Sequence, residues 1–265
     1  MLNLIQADLF KMRKSSIIKI LFGITTLCAL IMVVTAYLIP QGKVGNEYTG
    51  IGFLFSDIDI MSILGGVIAG AFICGDYDNK TIHNAITSGC SRSTIIVSKA
   101  AVFFSALIII LLPYAIITGI AMSTGAKFDM GAVSVGFLNI LSKDSTIAFS
   151  VAVFLKMLAA MLTLTIVYMA QLSICVPLAI VLKKPVLVVA IYYAFSIFCG
   201  QLAGLSNSSP MWNNILSCTP FGGNYSFVTL TSGVGDFLKA IAVCLVFIIV
   251  MLIIAFSIFR KAEIK

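Results

Sequence analysis

The sequence has few charged residues. Asp, Glu, Lys and Arg make up 10% of its 265 residues, whereas 60% are hydrophobic and the mean hydropathy is +1.13. Soluble domains carry ~25% charged residues. A single aqueous core cannot bury this much apolar surface. The scarcity of charge therefore argues against a water-soluble fold and predicts a protein solvated by lipid.

The sequence also lacks the patterns of a resident catalytic or cofactor site. It has one histidine, no Cys-x-x-Cys pair and no GxxxxGK[ST] phosphate-binding pattern. Basic residues are not interleaved with aromatics, which argues against nucleic-acid binding. No Asp or Glu relay crosses the centre of an apolar run, which argues against a proton-driven pump. We therefore expect no metal, no cofactor and no enzymatic activity on this chain.

Six apolar runs approach or exceed the roughly 20 helical residues that cross a ~30 Å hydrocarbon core. They are residues 17–39, 58–74, 95–122, 157–182, 185–205 and 237–259. The second run is short, and residues 52–55 before it could lengthen it. This pattern predicts an all-α polytopic membrane protein, with residues 1–265 forming one transmembrane domain. The pieces between the runs are too small for a soluble catalytic domain.

The distribution of Lys and Arg predicts the orientation of these spans. With six spans, twelve of the 17 cationic residues fall on the side of the termini and five on the other side. Cytoplasmic segments carry the excess of Lys and Arg. We therefore expect both termini in the cytoplasm. A cleaved signal peptide is not expected, since the first run is too long and no small-residue cleavage site follows it.

Residues 1–14 have the pattern of an amphipathic helix. Leu2, Ile5, Leu9 and Met12 fall on one stripe, and charged residues lie on the other faces. Such a helix rests in the membrane interface with its cations toward the phosphates. It is either a simple anchor or an elbow helix that a cytoplasmic partner can push.

The segment between the second and third spans predicts a short cytoplasmic helix over residues 78–88. Asp78 or Asn79 is expected to cap its start, and Gly89 to end it. Ile82 and Ile86 lie on one face. A helix this short needs a surface to pack against. Ser91 is expected to cap the third span.

Glycine pairs and outer-loop aromatics supply further candidate sites. Two GxxxG patterns, which allow close helix approach, predict either packing within the chain or a dimer contact; they are Gly66 with Gly70 and Gly200 with Gly204. The loop before the sixth span predicts a helical hairpin dipping into the outer leaflet. Candidate substrate-contacting or outer-interface residues are Lys156, Trp212, Phe221 and Tyr225.

These features together resemble the permease subunits of type-2 ABC exporters. The likeness covers nearly the whole chain and rests on the order of degenerate motifs. These are a basic amphipathic N-terminus, six spans, a helix after the second span and a Pro-Phe-Gly step at residues 220–222. The motif of that helix reads Asp76, Asp78, Asn79, Lys80, Thr81 and Ile82, then Gly89, Ser91, Arg92 and Lys99. The family frequently has Glu and Gly where this chain has Asp78 or Asn79 and Lys80.

The resemblance implies two permease chains, identical or related, bound to two separate ATP-binding cassette subunits that hold ATP and Mg. Ile82 and Ile86 are then expected to anchor the 78–88 helix in a cleft of the ATPase, with charged neighbours setting register and His83 facing the partner. The expected coupling residues are Asp76, Asp78, Lys80, Thr81, Ile82, His83, Ile86 and Arg92.

The expected activity is export of an amphipathic peptide antibiotic, a drug or a lipid from a bacterial plasma membrane, conferring antibiotic resistance. Two alternatives stay open. The chain could be a non-transporting immunity or sensor protein that binds such a ligand. It could also be a secondary transporter, although that class would show acidic residues in the middle of the membrane.

Overall fold

The computed structural model describes residues 2–45, 48–130, 134–144, 150–206, 210–222 and 225–261. Within these ranges all regular structure is helical, which confirms the predicted all-α class. The α-helices are α1 (Leu2–Lys14), α2 (Ser16–Leu38), α3 (Thr49–Leu54), α4 (Asp57–Ala69), α5 (Gly75–Asp78), α6 (Thr81–Thr87), α7 (Arg92–Ser123), α8 (Phe137–Asp144), α9 (Val151–Leu172), α10 (Cys175–Leu182), α11 (Pro185–Ser206), α12 (Pro210–Ser217) and α13 (Val234–Lys261).

Six helical segments in the described part of the chain are long and apolar enough to cross a membrane. They are Ser16–Leu38, Thr49–Asp78, Arg92–Ser123, Val151–Leu182, Pro185–Ala203 and Val234–Lys261. All six predicted spans are therefore confirmed by length and composition. The second is longer than residues 58–74, because α3 and α5 extend α4 at its two ends.

The fourth span differs from the single run predicted over residues 157–182. It begins at Val151, where the Ser150 hydroxyl accepts a hydrogen bond from the Val153 amide, and it breaks between α9 and α10. Pro177 explains the break, because proline has no N–H to donate to the carbonyl four residues before it. Lys156 consequently lies in the second turn of α9, where it is exposed. Only Lys183 and Lys184 separate α10 from α11, as the sequence predicts.

The second and fifth spans approach each other closely through small residues. A Cβ added at Gly66 would lie 2.9 Å from the Val189 Cα, and one at Gly70 would lie 2.7 Å from the Pro185 Cβ. These glycines therefore let α4 pack directly on α11. Gly70 also begins a π-helical turn, Gly70–Cys74, which leads into α5.

The end of the bundle opposite the termini is closed by α8, which is almost wholly buried. Asp57, at the start of α4, accepts hydrogen bonds from the Tyr168 hydroxyl and the Phe137 amide. The predicted second run began at residue 58 and so left Asp57 outside it, whereas the structure buries Asp57 completely inside the second candidate span. At the other end of α8, the Asp144 carboxylate accepts from the Leu230 amide at 2.7 Å, and burial raises the pKa of Asp144.

The segment before α13 folds back onto the spans. The Gln171 amide donates to the Pro220 carbonyl at 2.9 Å, and the Tyr225 hydroxyl donates to the Ser217 carbonyl at 2.6 Å. The ring of Phe221 contacts Phe195 and Phe247 edge-on, with ring centroids 5.4 and 6.3 Å apart. Phe221 and Tyr225 therefore pack onto the spans; Tyr225 is buried and Phe221 half-buried. Their contact with a substrate stays a prediction.

The packing of α4 on α11 predicts that valine destabilises the chain at one glycine and not at another. Gly66→Val should lower the free energy of unfolding by about 1–3 kcal/mol, because the new side chain would force α4 and α11 apart. Gly23→Val, in α2, is the matched control, since a Cβ at Gly23 meets nothing within 4 Å. Thermal unfolding of the detergent-solubilised chain measures both. An equal loss of stability in the two variants would contradict the packing.

Candidate coupling site beside the termini

The segment between the second and third spans folds as two short helices joined by a sharp turn. Lys80 adopts the left-handed conformation, with φ of 55°, and so reverses the chain between α5 and α6. Glycine is the residue that adopts this conformation without steric cost. Lys80 therefore occupies a position whose geometry favours glycine.

The predicted start of this helix is wrong by three residues. Neither Asp78 nor Asn79 caps it; Asp78 still belongs to α5, and the Asn79 side chain donates back to the Gly75 carbonyl at 2.7 Å. α6 begins at Thr81 and has no side-chain cap at its N-terminus. The Thr81 hydroxyl instead donates to the Asp76 carbonyl at 3.1 Å, which ties the start of α6 to the end of the second span.

The predicted end of this helix is confirmed. Gly89 has φ of +88°, its amide donates to the Ile86 carbonyl, and the Cys90 amide donates to the Ala85 carbonyl. This pair of bonds is the Schellman arrangement that ends a helix on glycine. The third span then begins at once, with the Ser91 hydroxyl accepting from the Thr94 amide at 3.3 Å. The predicted Ser91 cap is therefore also confirmed.

Ile82 lies inside the chain rather than on its surface. Only 3% of the residue is exposed, and it lines the same small apolar cleft as Ile95 of α7, Ile180 of α10 and Phe259 of α13. The sequence analysis expected Ile82 to fill a cleft of the ATPase. The structure corrects this expectation, because the ends of three spans already supply the apolar surface that the short helix needs.

The surface that α6 leaves open is polar. Its exposed residues, with those of the preceding turn, are Asp78, Asn79, Lys80, Thr81, His83, Asn84, Thr87 and Ser88. Ile86 is half-buried against the core. A partner that docks on this segment therefore meets hydrogen-bonding and charged groups first, with apolar contact limited to one edge of Ile86.

A buried ion cluster holds this segment to the rest of the chain. The Lys99 ammonium of α7 lies 2.6 Å from one Asp76 carboxylate oxygen and 2.8 Å from both oxygens of Asp8 on α1. The Lys11 ammonium, also on α1, donates to the other oxygen of Asp76. The Ser98 hydroxyl completes the cluster by donating to Asp8 at 2.7 Å. Two anions and two cations thus join α1, α5 and α7.

Asp76 and Arg92 therefore bind within the chain, although the sequence analysis expected them to set the choice of partner. The Asp76 side chain is 3% exposed. Arg92 donates to the Phe259 and Arg260 carbonyls at 2.9 and 2.8 Å, where α13 ends. Because the last carbonyls of a helix have no partner within it, a cation there satisfies them and opposes the helix dipole. Four spans thus meet around α6.

Family comparison agrees with this architecture. The chain matches the model of the ABC-2 family transporter protein over residues 4–200, which is well over half its length. The chain belongs to the ABC-2 transporter family. It is accordingly the membrane-spanning permease subunit of an ABC transporter, and the family implies an ATP-binding cassette partner. Comparison with curated proteins finds none that matches.

Sequence reasoning missed two members of the ion cluster of this ABC-2 permease. The two are Asp8 and Lys11, which appeared only among the charges of an amphipathic helix. Lys99 was noted, but only as part of a motif. Their spacing held a signal, since residues three apart on a helix lie on the same face, so that Asp8 and Lys11 can each bind a partner of opposite charge at one place. The pairing with Asp76 is long-range, so no local pattern could show it.

The remaining candidate residues of this permease lie away from the segment formed by α5, α6 and the turn into α7, which we call the coupling segment. Gly200 has open space beside it on α11, which leaves room for a second helix. Gly204 and Trp212 fall outside the residues whose side chains the structure describes. The part of Lys156 in substrate contact stays a prediction.

Loss of Lys99 should destabilise the permease more than loss of any exposed cation. Lys99→Met leaves Asp8 and Asp76 buried together, and removing one partner of a buried ion pair costs about 3–5 kcal/mol. Lys14→Met, at an exposed position, should cost under about 1 kcal/mol. Denaturant unfolding in detergent measures both. A second substitution, Asp8→Asn, should restore part of the loss in Lys99→Met; no restoration would show that the cost is not electrostatic.

Proposed function

We propose that this chain is the permease of an ATP-driven exporter and that a separate ATP-binding subunit docks on the exposed face of α6 and the turn before it. We place this face and both termini in the cytoplasm of a bacterial cell, since twelve of 17 cations then lie on that side. One observation carries the proposal: a short polar helix is held at the ends of four spans, on three of them by the buried Ile82 and on the second by the Thr81–Asp76 hydrogen bond.

The contacts around α6 make it suited to transmit force. Thr81 and Asp76 bind α6 to the second span, Ile82 seats it on α7, α10 and α13, and the Schellman turn leads within three residues into α7. A push on α6 therefore moves the ends of these spans together rather than bending a loop. The Asp76–Lys99–Asp8 contacts carry the same displacement to α1.

The proposed substrate is amphipathic: a peptide antibiotic, a drug or a lipid. A cavity of about 770 Å³ lies between α7 and α9, within the ~300–1,000 Å³ of small-molecule sites. Among the described residues that line it, the polar ones are Ser123 and Thr165, and both hydroxyls donate to carbonyls of their own helices. The cavity therefore offers apolar contact alone, which suits the apolar part of such a substrate.

We also propose that two permease chains assemble, identical or related, with one ATP-binding subunit on each. The open space at Gly200 supports a helix contact on α11, since the other glycine pair is already used within the chain. Two other functions remain as alternatives: an immunity or sensor protein that sequesters its ligand, and a secondary transporter. Against the latter, the buried carboxylates of the second candidate span, Asp57 and Asp76, lie toward its opposite ends and form no relay across the bilayer.

Substitutions on the open face of α6 should uncouple the two subunits without unfolding the permease. His83→Glu and Asn84→Arg change exposed side chains. We expect each to lower co-purification of the cognate ATP-binding subunit and permease-dependent ATP hydrolysis at least tenfold, because buried mismatched charge opposes docking. Lys127→Glu, exposed in the loop on the opposite side, is the control. Normal co-purification of both α6 variants would refute the proposed docking face.

Export and sequestration differ in their need for ATP hydrolysis. In cells that express the permease with its ATP-binding subunit, resistance to an amphipathic peptide antibiotic should disappear when the catalytic glutamate of that subunit is replaced by glutamine. Membrane abundance of both subunits, measured by immunoblot, should not change. Resistance that survives this substitution would favour the immunity alternative over export.

A further inference from the structure

The outer face of α1 is cationic and apolar at once. Leu4, Leu9 and Met12 turn toward the core, and the opposite face carries Phe10 between Arg13 and Lys14. Phe10 is 63% exposed, and the Lys14 ammonium lies 5.9 Å from the centre of its ring. Nothing in the described part of the chain covers this face.

Positive charge continues from α1 into the first span. The exposed cations of this junction are Lys11, Arg13, Lys14 and Lys19. Asp8 is the sole acid on α1 and α2, and it turns inward to Lys99 and Ser98. The outward charge of the patch is therefore unopposed on these two helices.

The neighbouring side chains indicate a lipid surface rather than a protein. Ile17 and Ile20 are 41% and 61% exposed on the adjoining turn of α2, and they continue into the apolar surface of the first span. A cluster of four or more Lys and Arg at the cytoplasmic end of a span, beside apolar side chains, has the chemistry of a site for anionic phospholipid headgroups.

Lys11 stands between this patch and the buried ion cluster. Its side chain is 46% exposed, whereas the Asp76 carboxylate that it binds is 3% exposed. Lys14 lies one turn further along the same helix and is fully on the outer side. Asp76 keeps Lys99 as a second cation, so the departure of Lys11 does not leave the Asp76 carboxylate without a cation.

We propose that the patch binds anionic phospholipid headgroups and that Lys11 is shared between these lipids and Asp76. An anionic leaflet then draws Lys11 away from Asp76 and loosens the tie between α1 and the coupling segment. The charge of the leaflet thereby regulates how firmly α6 is held. This inference deepens the proposed function and takes its orientation from it.

Hydrogen exchange of the purified full-length chain in nanodiscs tests the proposal. Discs contain phosphatidylcholine alone or an equimolar mixture with phosphatidylglycerol, and the readout is amide exchange of residues 75–90, which reports local opening. We expect exchange about fivefold faster in the anionic discs, the factor that corresponds to ~1 kcal/mol for one cation at an anionic surface. The difference should vanish near 1 M NaCl, where the screening length falls to ~3 Å.

Two matched variants separate the shared role of Lys11 from simple charge. Lys11→Gln should exchange fast in both discs, because its tie to Asp76 is gone. Lys14→Gln removes the same charge one turn away and should keep slow exchange in phosphatidylcholine. Wild-type exchange that ignores lipid charge would overturn the proposal, as would an undiminished lipid response in Lys11→Gln.

The lipid comparison is independent of the docking experiment, since it is made without the ATP-binding subunit. If lipid charge has no effect while added ATP-binding subunit protects residues 2–14 from exchange, the patch is a protein interface and the proposal fails. The docking of that subunit on α6 would then stand or fall on its own measurement.

Discussion

The ammonium of Lys99 is the contact on which the arrangement of the coupling segment depends. It lies between two buried carboxylates, from the first helix and from the end of the second span, and is itself nearly inaccessible to water. Removing such groups from water costs several kcal/mol per ion, which only close and well-paired geometry offsets. The cluster therefore stabilises one relative position of α1, α5 and α7 against alternatives that would strand a charge.

A segment as short as α6 has no stability of its own, because helix nucleation is unfavourable and seven residues form few hydrogen bonds. Its conformation comes from Ile82 in the cleft between spans, from Thr81 on the Asp76 carbonyl and from the glycine turn at its end. These contacts hold α6 to the spans. Exposed polar side chains such as His83 and Asn84 take no part in them. Such a surface is available to bind a partner. Because α6 is held firmly to the spans, movement of a bound partner would move the ends of the spans.

The spans, their order and the presence of a helix between the second and third were predictable, since each depends on composition or local periodicity. So were the Gly89 stop and the Ser91 cap, which are local. The start of α6 was not predictable. The Asn79 side chain donates to the Gly75 carbonyl and Lys80 adopts the left-handed conformation, so neither Asp78 nor Asn79 caps the helix. The burial of Ile82 and Asp76 could not be predicted for a different reason. A sequence pattern shows that a helix face is apolar or charged, but it does not show whether that face packs on the same chain or on a partner.

That ambiguity has a physical meaning here. The motif that resembles the coupling helix of the family mixes two kinds of residue. Asp76, Ile82 and Arg92 face inward and join the spans to one another, whereas Asp78, Lys80 and His83 face outward. In the proposed function, the inward residues would determine how a displacement spreads through the spans, and the outward residues would determine which partner causes it. A change in partner would therefore require new residues only on the outer set, with the ion cluster and the four spans that meet around α6 unaltered.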